Sequence, residues 1–313
     1  MELQMQLDSK KINDFLLSSG MEIQFQVNAD CSRITSARSG GRCNALIEAP
    51  DEKVLSGIIK YLHENNAAFH IIGDGTNFLF NDGYIDMYLI KLTGDFKKMR
   101  YAGNGLISAG AGCSLAKLVI FSAKYSLDLS FLAGIPGTTG GAVAGNAGSA
   151  NEGICNFIRE LNYLAFSGNA IESRKAPLNK TDYGYRFCKI KDMAAINSVL
   201  IAPEKAERDE IFSRIRQRIK NKKKSQPLGW PSSGCFFKNP SGTDKSAGEM
   251  IDVCGLKGFI FGGAQISQKH ANFIVNSGSA SARDFFVLSH IAAMAVKDKY
   301  NIELENEVRL VGF

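Results

Sequence analysis

Apolar positions along this chain follow two rhythms, helical spacing and short unbroken runs, and the two alternate. PDEKVLSGIIKYLHENN (50–66) carries Val54, Ile58 and Leu62 at helical spacing; Pro50 opens it, acids fill its first turn, and it predicts a helix. DSKKINDFLLSSG (8–20) predicts a shorter helix with Asp8 as cap and Gly20 as stop, and SLAKLVIFSAKYS (114–126) a third capped by Ser114. EKAERDEIFSRIRQRIKNKKK (204–224) sets Ile211, Ile215 and Ile219 on one face, and SARDFFVLSHIAAMAVKDKY (281–300) predicts a long helix capped by Ser281. SAGEMIDVCGLKG predicts a short helix closed by glycine. Unbroken apolar runs predict strands at AFHII (68–72), MYLIKL (87–92), ELNYLAF (160–166), AINSVLIAP (195–203), AQIS, NFIVN and EVRLVGF, with the turn SGN separating 160–166 from 195–203. The order predicts an α+β fold with local strand–helix alternation.

Length and composition sharpen that picture. A chain of 313 residues that is 45% hydrophobic can bury a full core and divides into two or three domains. The expected boundaries are an N-terminal helix and strand (1–34), a first domain at 35–203 and a smaller one at 204–313. No apolar run is long enough to span a bilayer and MELQMQLDSKK does not read as a leader, so a cytoplasmic protein with no membrane partner is expected. Seven cysteines without a C-x-x-C pair, and four separate histidines, predict neither a metal site nor a disulfide framework. The formal charge of +6 concentrates in RIRQRIKNKKK (214–224), where no aromatic residues interleave. That run reads as the solvated end of a helix rather than a nucleic-acid site.

Two glycine-rich stretches carry candidate chemistry. In Gly73-Asp74-Gly75-Thr76-Asn77, after a predicted strand, glycines allow a sharp turn and a close approach to a ligand, and Thr76 and Asn77 add hydrogen-bonding groups. In GIPGTTGGAVAGNAG (134–148), consecutive N–H groups can face one concavity and hold a diphosphate. Neither stretch matches the P-loop or a clean dinucleotide fingerprint. Together they predict a nucleotide-like ligand, and each alone is equally consistent with a tight turn. The stretch PSSGCFFKNP (231–240) adds Cys235, which is either a small packing residue beside Phe236 and Phe237 or a thiol aimed at a ligand.

Six segments in order, GDGTNFLF, GIPGTTGGAVAGNAGS, YGYRFC, PSSGCFFKNP, GGAQISQKHANFIVN and LENEVRLVG, resemble the UDP-N-acetylenolpyruvoylglucosamine reductase family over roughly residues 35 to 312. The resemblance implies an FAD-binding domain of the vanillyl-alcohol-oxidase (PCMH) type, followed by a smaller α/β substrate-binding domain. It implies an NADPH-dependent enzyme that reduces UDP-N-acetylglucosamine enolpyruvate to UDP-N-acetylmuramate in peptidoglycan precursor synthesis; a monomer is expected. Gly73, Asp74, Gly75, Thr76 and Asn77 would face the flavin, and Gly137, Thr138, Gly140, Gly141 and Asn146 its diphosphate. Tyr185, Lys238, Asn239 and His270 would touch the sugar nucleotide.

The same resemblance assigns catalytic work to Arg186, Cys235 and Glu307. Arg186 would grip the substrate carboxylate through two parallel hydrogen bonds. Cys235 would protonate the carbon beside it, and Glu307 would help in its protonated form, which requires burial to raise its pKa. This chain departs from the family's usual Gly-Gly-Gly-Ser-Asn at Asp74 and Thr76, and from its usual serine at Cys235. The Asp74 carboxylate is expected to point away from an anionic cofactor. Two other readings stay open: a flavin- or UDP-sugar-binding relative without catalysis, and a flavin oxidase on the same scaffold.

Overall fold

The computed structural model describes residues 11, 12, 14, 15, 17, 23–149 and 152–313. The chain divides into two units, neither continuous in sequence: Met1–Ala29, Asn44–Gly73 and Asp86–Ile219 form one, and Asp30–Cys43, Asp74–Ile85 and Lys220–Phe313 the other. Among the described residues no helix is long and apolar enough to cross a membrane.

In the first unit the helix Glu52–Glu64 buries Val54, Leu55, Ile58, Ile59 and Leu62 along the predicted face. Asp51 rather than Pro50 caps it, its carboxylate accepting the Val54 N–H at 2.9 Å, so the proline precedes the cap. Of the helix predicted at 8–20, residues 11, 12, 14, 15 and 17 are helical; the cap Asp8 and the stop Gly20 lie outside the described residues. The helix Arg208–Ser225 starts four residues later than predicted, because Glu204 and Lys205 pair in a strand, and it buries Ile211 and Ile215 in the core of this unit.

A five-stranded antiparallel sheet runs in the order Ala170–Ala176, Ile158–Ser167, Met193–Ile201, Leu106–Gly110, Met99–Gly103. The turn SGN does not join 160–166 to 195–203. It closes a hairpin with Ala170–Ala176, Ser167 opposite Ala170 and Gly168 at φ +58°. That edge strand is mostly exposed and carries no apolar run, which is why hydrophobic patterning passes over it. The pair Met99–Gly103 and Leu106–Gly110 closes through Asn104 (φ +51°) and Gly105 (φ +76°), a primed turn that suits the strand twist. A second sheet, ordered Phe25–Asp30, Arg42–Ala49, Tyr84–Leu92, Phe69–Ile72, ends in a parallel pair with Phe69 opposite Tyr88.

The second unit is built on an antiparallel sheet ordered Ser232–Cys235, Phe273–Asn276, Ala264–Ile266, Ile260–Phe261. The helix Ala282–Tyr300 packs against it and buries Phe285, Leu288, Ala292 and Val296. The last strand, Arg309–Val311, pairs in parallel with Phe78–Phe80, Arg309 opposite Phe78. Asp82, from the same early segment, accepts the Ala282 and Arg283 N–H groups at 2.9 Å each and so caps the long helix from outside.

The same helix carries a reciprocal cap: Ser281 Oγ accepts the Asp284 N–H, and the Asp284 carboxylate accepts the Ser281 N–H. Burial raises the Asp284 pKa, but hydrogen bonds from Gly263 and Ser281 outweigh it and hold this carboxyl below its usual value. A depressed folded pKa means stability that is present above the unfolded pKa, about 4, and is lost as pH falls through the folded value. Asp284→Asn is therefore expected to lower unfolding stability by roughly 1 kcal/mol at pH 7. Urea midpoints of the two proteins at pH 7 and pH 3 should show that gap narrowing in acid.

Candidate functional site

In the first unit the two glycine-rich stretches come together. A Cβ on Gly73 would lie 2.5 Å from Thr138 Oγ1, so the absence of a side chain at 73 permits this approach. Thr138 caps the short helix Thr139–Ala144, its Oγ1 accepting the Gly141 N–H at 3.3 Å. The loop is tied down: Thr139 N–H donates to Cys113 O and Gly140 N–H to Ala111 O, each at 2.8 Å, while Gly137 O accepts the Leu115 N–H at 2.9 Å. Much of the expected run of free N–H groups is thus taken up within the protein. The N–H groups of Gly137 (φ +115°) and Thr138 have no acceptor among the described residues. Two adjacent unmet donors beside an exposed Gly141 fit an anionic group such as a diphosphate.

The Asn146 carboxamide is engaged within the protein. Its Nδ2 donates to Gly184 O at 2.9 Å and its Oδ1 accepts the Cys155 N–H at 3.0 Å, so its carboxamide clamps the hairpin of Tyr183–Gly184 and Phe187–Cys188. Tyr185 and Arg186 form the two-residue turn of that hairpin. Arg186 has φ +63°, a left-handed conformation that a non-glycine residue adopts only where its surroundings over-determine it. Its Nη1 donates to Gly148 O at 3.2 Å, and its guanidinium lies 5.3 Å from the Tyr185 ring centroid. The hairpin's Cys188 neighbours Cys155, and the hydrogen bond between the two thiols, reinforced by burial, pushes Cys155 well above the usual thiol range. No cysteine spacing signalled this pair.

The loop Gly73–Asn77 passes from the first unit into the second. Asp74 is exposed and Gly75 buried, and a Cβ on Gly75 (φ +61°) would sit 2.2 Å from Ile34 O. Asn77 bonds on both sides of Val308, just after Glu307: its Nδ2 donates to Glu307 O and its own carbonyl accepts the Arg309 N–H, each at 3.0 Å. Thr76 is half-buried.

Cys235 stands at the end of its strand after a bulge. Ser232 pairs with Val275 and Cys235 with Phe273, so one residue is extra on the cysteine's side, and Gly234 absorbs it at φ +82°. Space does not demand that glycine, since nothing lies within 4 Å of a Cβ there; the backbone angle does. Ser233 Oγ donates to Phe78 O and Ser36 Oγ to Ser232 O, which fastens the bulge from two sides. Beyond it Phe236 and Phe237 are 1% and 3% exposed, whereas Cys235 stays partly accessible, as does Cys254 among the seven cysteines. Phe236 O accepts the Glu307 N–H at 2.8 Å, which sets the cysteine-bearing and glutamate-bearing segments side by side. Glu303 and Glu305 are exposed and paired with Lys297 and Lys238; Glu307 is half-buried.

The expected sugar-nucleotide residues of this unit have local partners. Lys238 is engaged by Glu305, and Asn239 Oδ1 accepts the Ala247 N–H at 3.1 Å. His270 Nδ1 accepts the Asn272 N–H at 3.3 Å, and burial lowers its pKa, with Lys257 adding to the effect, so its neutral form is favoured. Sequence reasoning missed Asn272, whose signal was a polar residue inside the apolar run HANFIV. The described residues hold no group of three or more histidine, cysteine, aspartate or glutamate side chains able to bind a metal ion.

Comparison with known proteins places these observations. Residues 226–311 match the family model described as UDP-N-acetylenolpyruvoylglucosamine reductase, C-terminal domain, and residues 43–173 match the FAD binding domain. The chain is 36% identical to the UDP-N-acetylenolpyruvoylglucosamine reductase of Pelobacter propionicus over 297 residues, covering 94% of this chain and 98% of that one. It is also 36% identical to the enzyme of the same name from Geobacter metallireducens, over 90% of this chain and 92% of that one. The crystal structure of UDP-N-acetylenolpyruvylglucosamine reductase (MurB) from Thermus caldophilus superimposes with a TM-score of 0.76 at 30% identity, covering 93% of this chain and 99% of that one. On sequence, fold and domain order alike, this chain belongs to the UDP-N-acetylenolpyruvoylglucosamine reductase family of FAD-dependent oxidoreductases.

Proposed function

We propose that this chain reduces the enolpyruvyl ether of UDP-N-acetylglucosamine to the lactyl ether of UDP-N-acetylmuramate, with NADPH as the source of electrons and Cys235 as the proton donor. The observation that carries the assignment of roles is the hydrogen bond from Glu307 N–H to Phe236 O, which joins the segments bearing the thiol and the carboxyl. The N–H groups of Gly137 and Thr138, with Gly73 close by, would hold the cofactor's diphosphate. FAD, when bound, supplies the hydride that adds to the terminal carbon of the double bond.

The protein's own groups manage the charge that follows. Addition of hydride leaves an electron pair on the carbon next to the carboxylate. The Arg186 guanidinium would hold that carboxylate in a fork and stabilise charge spreading into it. Its left-handed backbone angle, clamped through Gly184 and Gly148, presents the side chain without further ordering. Cys235 Sγ–H would give its proton to the carbon, leaving a thiolate that recovers a proton from water; a thiol near pKa 8.5 is a far stronger acid than an alcohol. Glu307, half-buried, would share the developing charge as a neutral carboxyl. The balance is NADPH, a proton and the alkene giving NADP⁺ and the saturated ether.

The direct test is the purified yellow protein: it should consume NADPH only when the enolpyruvyl substrate is present. Consumption indifferent to that substrate, with oxygen taking the electrons, would instead mark an oxidase. Cys235→Ala is expected to lower kcat by roughly 10²- to 10⁴-fold, and Cys235→Ser to keep measurable turnover. Wild-type activity should fall as alkaline pH converts the thiol to a thiolate that cannot donate, and Cys235→Ser should lack that fall in a kcat–pH profile. Arg186→Lys, which keeps the charge and loses the fork, should cost on the order of 10²-fold in kcat. Near-wild-type turnover by Cys235→Ala would remove the thiol from the mechanism.

A further inference from the structure

We infer that Asn272 is a positioning residue for proton delivery: its carboxamide replaces a missing strand partner at Phe237 and fixes the register of the segment carrying Cys235 against the segment carrying Glu307. The inference rests on the roles proposed above for those two residues.

Regular pairing ends at Cys235, opposite Phe273. Consecutive N–H groups of a strand point to opposite sides, so one neighbouring strand serves only every other residue. At Phe236 and Phe237 both N–H groups nevertheless end on one residue. Phe236 N–H donates to Asn272 O at 2.7 Å, and Phe237 N–H donates to Asn272 Oδ1 at 2.8 Å. Asn272 Nδ2 then returns a hydrogen bond to Phe237 O at 2.8 Å. The side chain thus offers the donor and the acceptor that a strand would.

The far side of the same segment meets the glutamate strand. Phe236 O accepts from Glu307 N–H at 2.8 Å and from Val308 N–H at 3.3 Å, Phe237 bridges to Asn306, and Lys238 N–H donates to Glu305 O at 2.8 Å. The single peptide group between Phe236 and Phe237 therefore donates to Asn272 at one end and accepts from Glu307 at the other. The preceding peptide, which carries the Cys235 carbonyl, is held by Asn272 O. These two planes flank the Phe236 Cα; the nearer one contains the Cys235 Cα and carbonyl, and pairing with Phe273 holds Cys235 from the strand side, so its position relative to Glu307 follows. Asn272 is 3% exposed among Ala271, Phe273 and Ile274, where an apolar side chain would fill the space without directing anything.

The test uses flavin-loaded protein without oxygen and reads the two half-reactions separately. Asn272→Leu keeps the branched shape and the number of heavy atoms, is somewhat bulkier, and lacks both donor and acceptor. Bleaching of the flavin by NADPH should stay within about twofold of wild type, since it needs no proton from residue 235. Return of colour on adding the enolpyruvyl substrate should slow by about 10²-fold, the effect of a small misplacement of a reacting group. Alkylation of Cys235 by iodoacetamide, followed by peptide mass, should change severalfold and gives a readout independent of turnover. Asn272→Ser, smaller and able to admit a water, serves if the leucine variant does not retain flavin. Wild-type recolouring and alkylation overturn the inference, and so does an equal loss of both half-reactions or of flavin in both variants, which would make the role one of folding. Cys235→Ala run alongside separates the cases: if it recolours at the wild-type rate, the donor assignment fails, and the alkylation rate still decides whether Asn272 orients residue 235.

Discussion

Three residue pairs of parallel strand, Arg309 with Phe78, Leu310 with Leu79 and Val311 with Phe80, join segments about 230 residues apart, and the arrangement of the second unit depends on them. They place Asn77, at the exit of the first glycine loop, where it can bond the Glu307 carbonyl and the Arg309 N–H. They also bring Phe78 O to Ser233 Oγ, and so anchor the bulge before Cys235. Parallel pairing of distant segments costs loop-closure entropy before it returns anything. Burial compensates: Leu79, Phe236, Phe285 and Leu288 are each at most 1% exposed in the same core. Asp82 completes the junction at the start of the long helix.

Glycine serves three separate physical purposes here, and only one concerns a ligand. At Gly234 the backbone angle of a bulge excludes other residues, although the space is open. At Gly75 the angle and the space both exclude a side chain, because Ile34 O lies in the way. At Gly137 the positive φ turns the chain so that its own N–H and that of Thr138 are left without an acceptor among the described residues. A glycine-rich stretch therefore does not equal a phosphate cradle, and most N–H groups of residues 139–142 are bonded internally.

Unusual backbone angles occur at both segments where chemistry is proposed, as they do at Arg38, Ser126 and Asp192 elsewhere. Arg186 occupies a left-handed turn position that glycine or asparagine would fill more easily, and it is kept there by Asn146 and by Gly148 O. In the second unit the bulge at Gly234 lifts Cys235 toward the surface while its neighbours go into the core. In both places side-chain hydrogen bonds to other parts of the chain add to strand pairing in holding the arrangement.

Much of this was readable from the linear chain. Helices with clear apolar spacing, 52–64, 115–123 and 282–300, lie where their patterns put them, because each buries its own face; Asp51 and Ser281 cap theirs, whereas the expected cap Ser114 makes no side-chain capping hydrogen bond. The family resemblance rested on short motifs in the family's order, the last three of them specific in themselves and the glycine loops not. Edge strands such as 170–176 escaped notice because they bury little and carry no apolar run. What only the tertiary structure decided was partnership across distance: that 30–43 and 74–85 belong with 220–313, that Cys155 neighbours Cys188, and that Asn272 holds Phe237. Periodicity reports which face of a segment turns inward, a local property. Which donor meets which acceptor depends on the packing of segments far apart in sequence, and no local pattern records it.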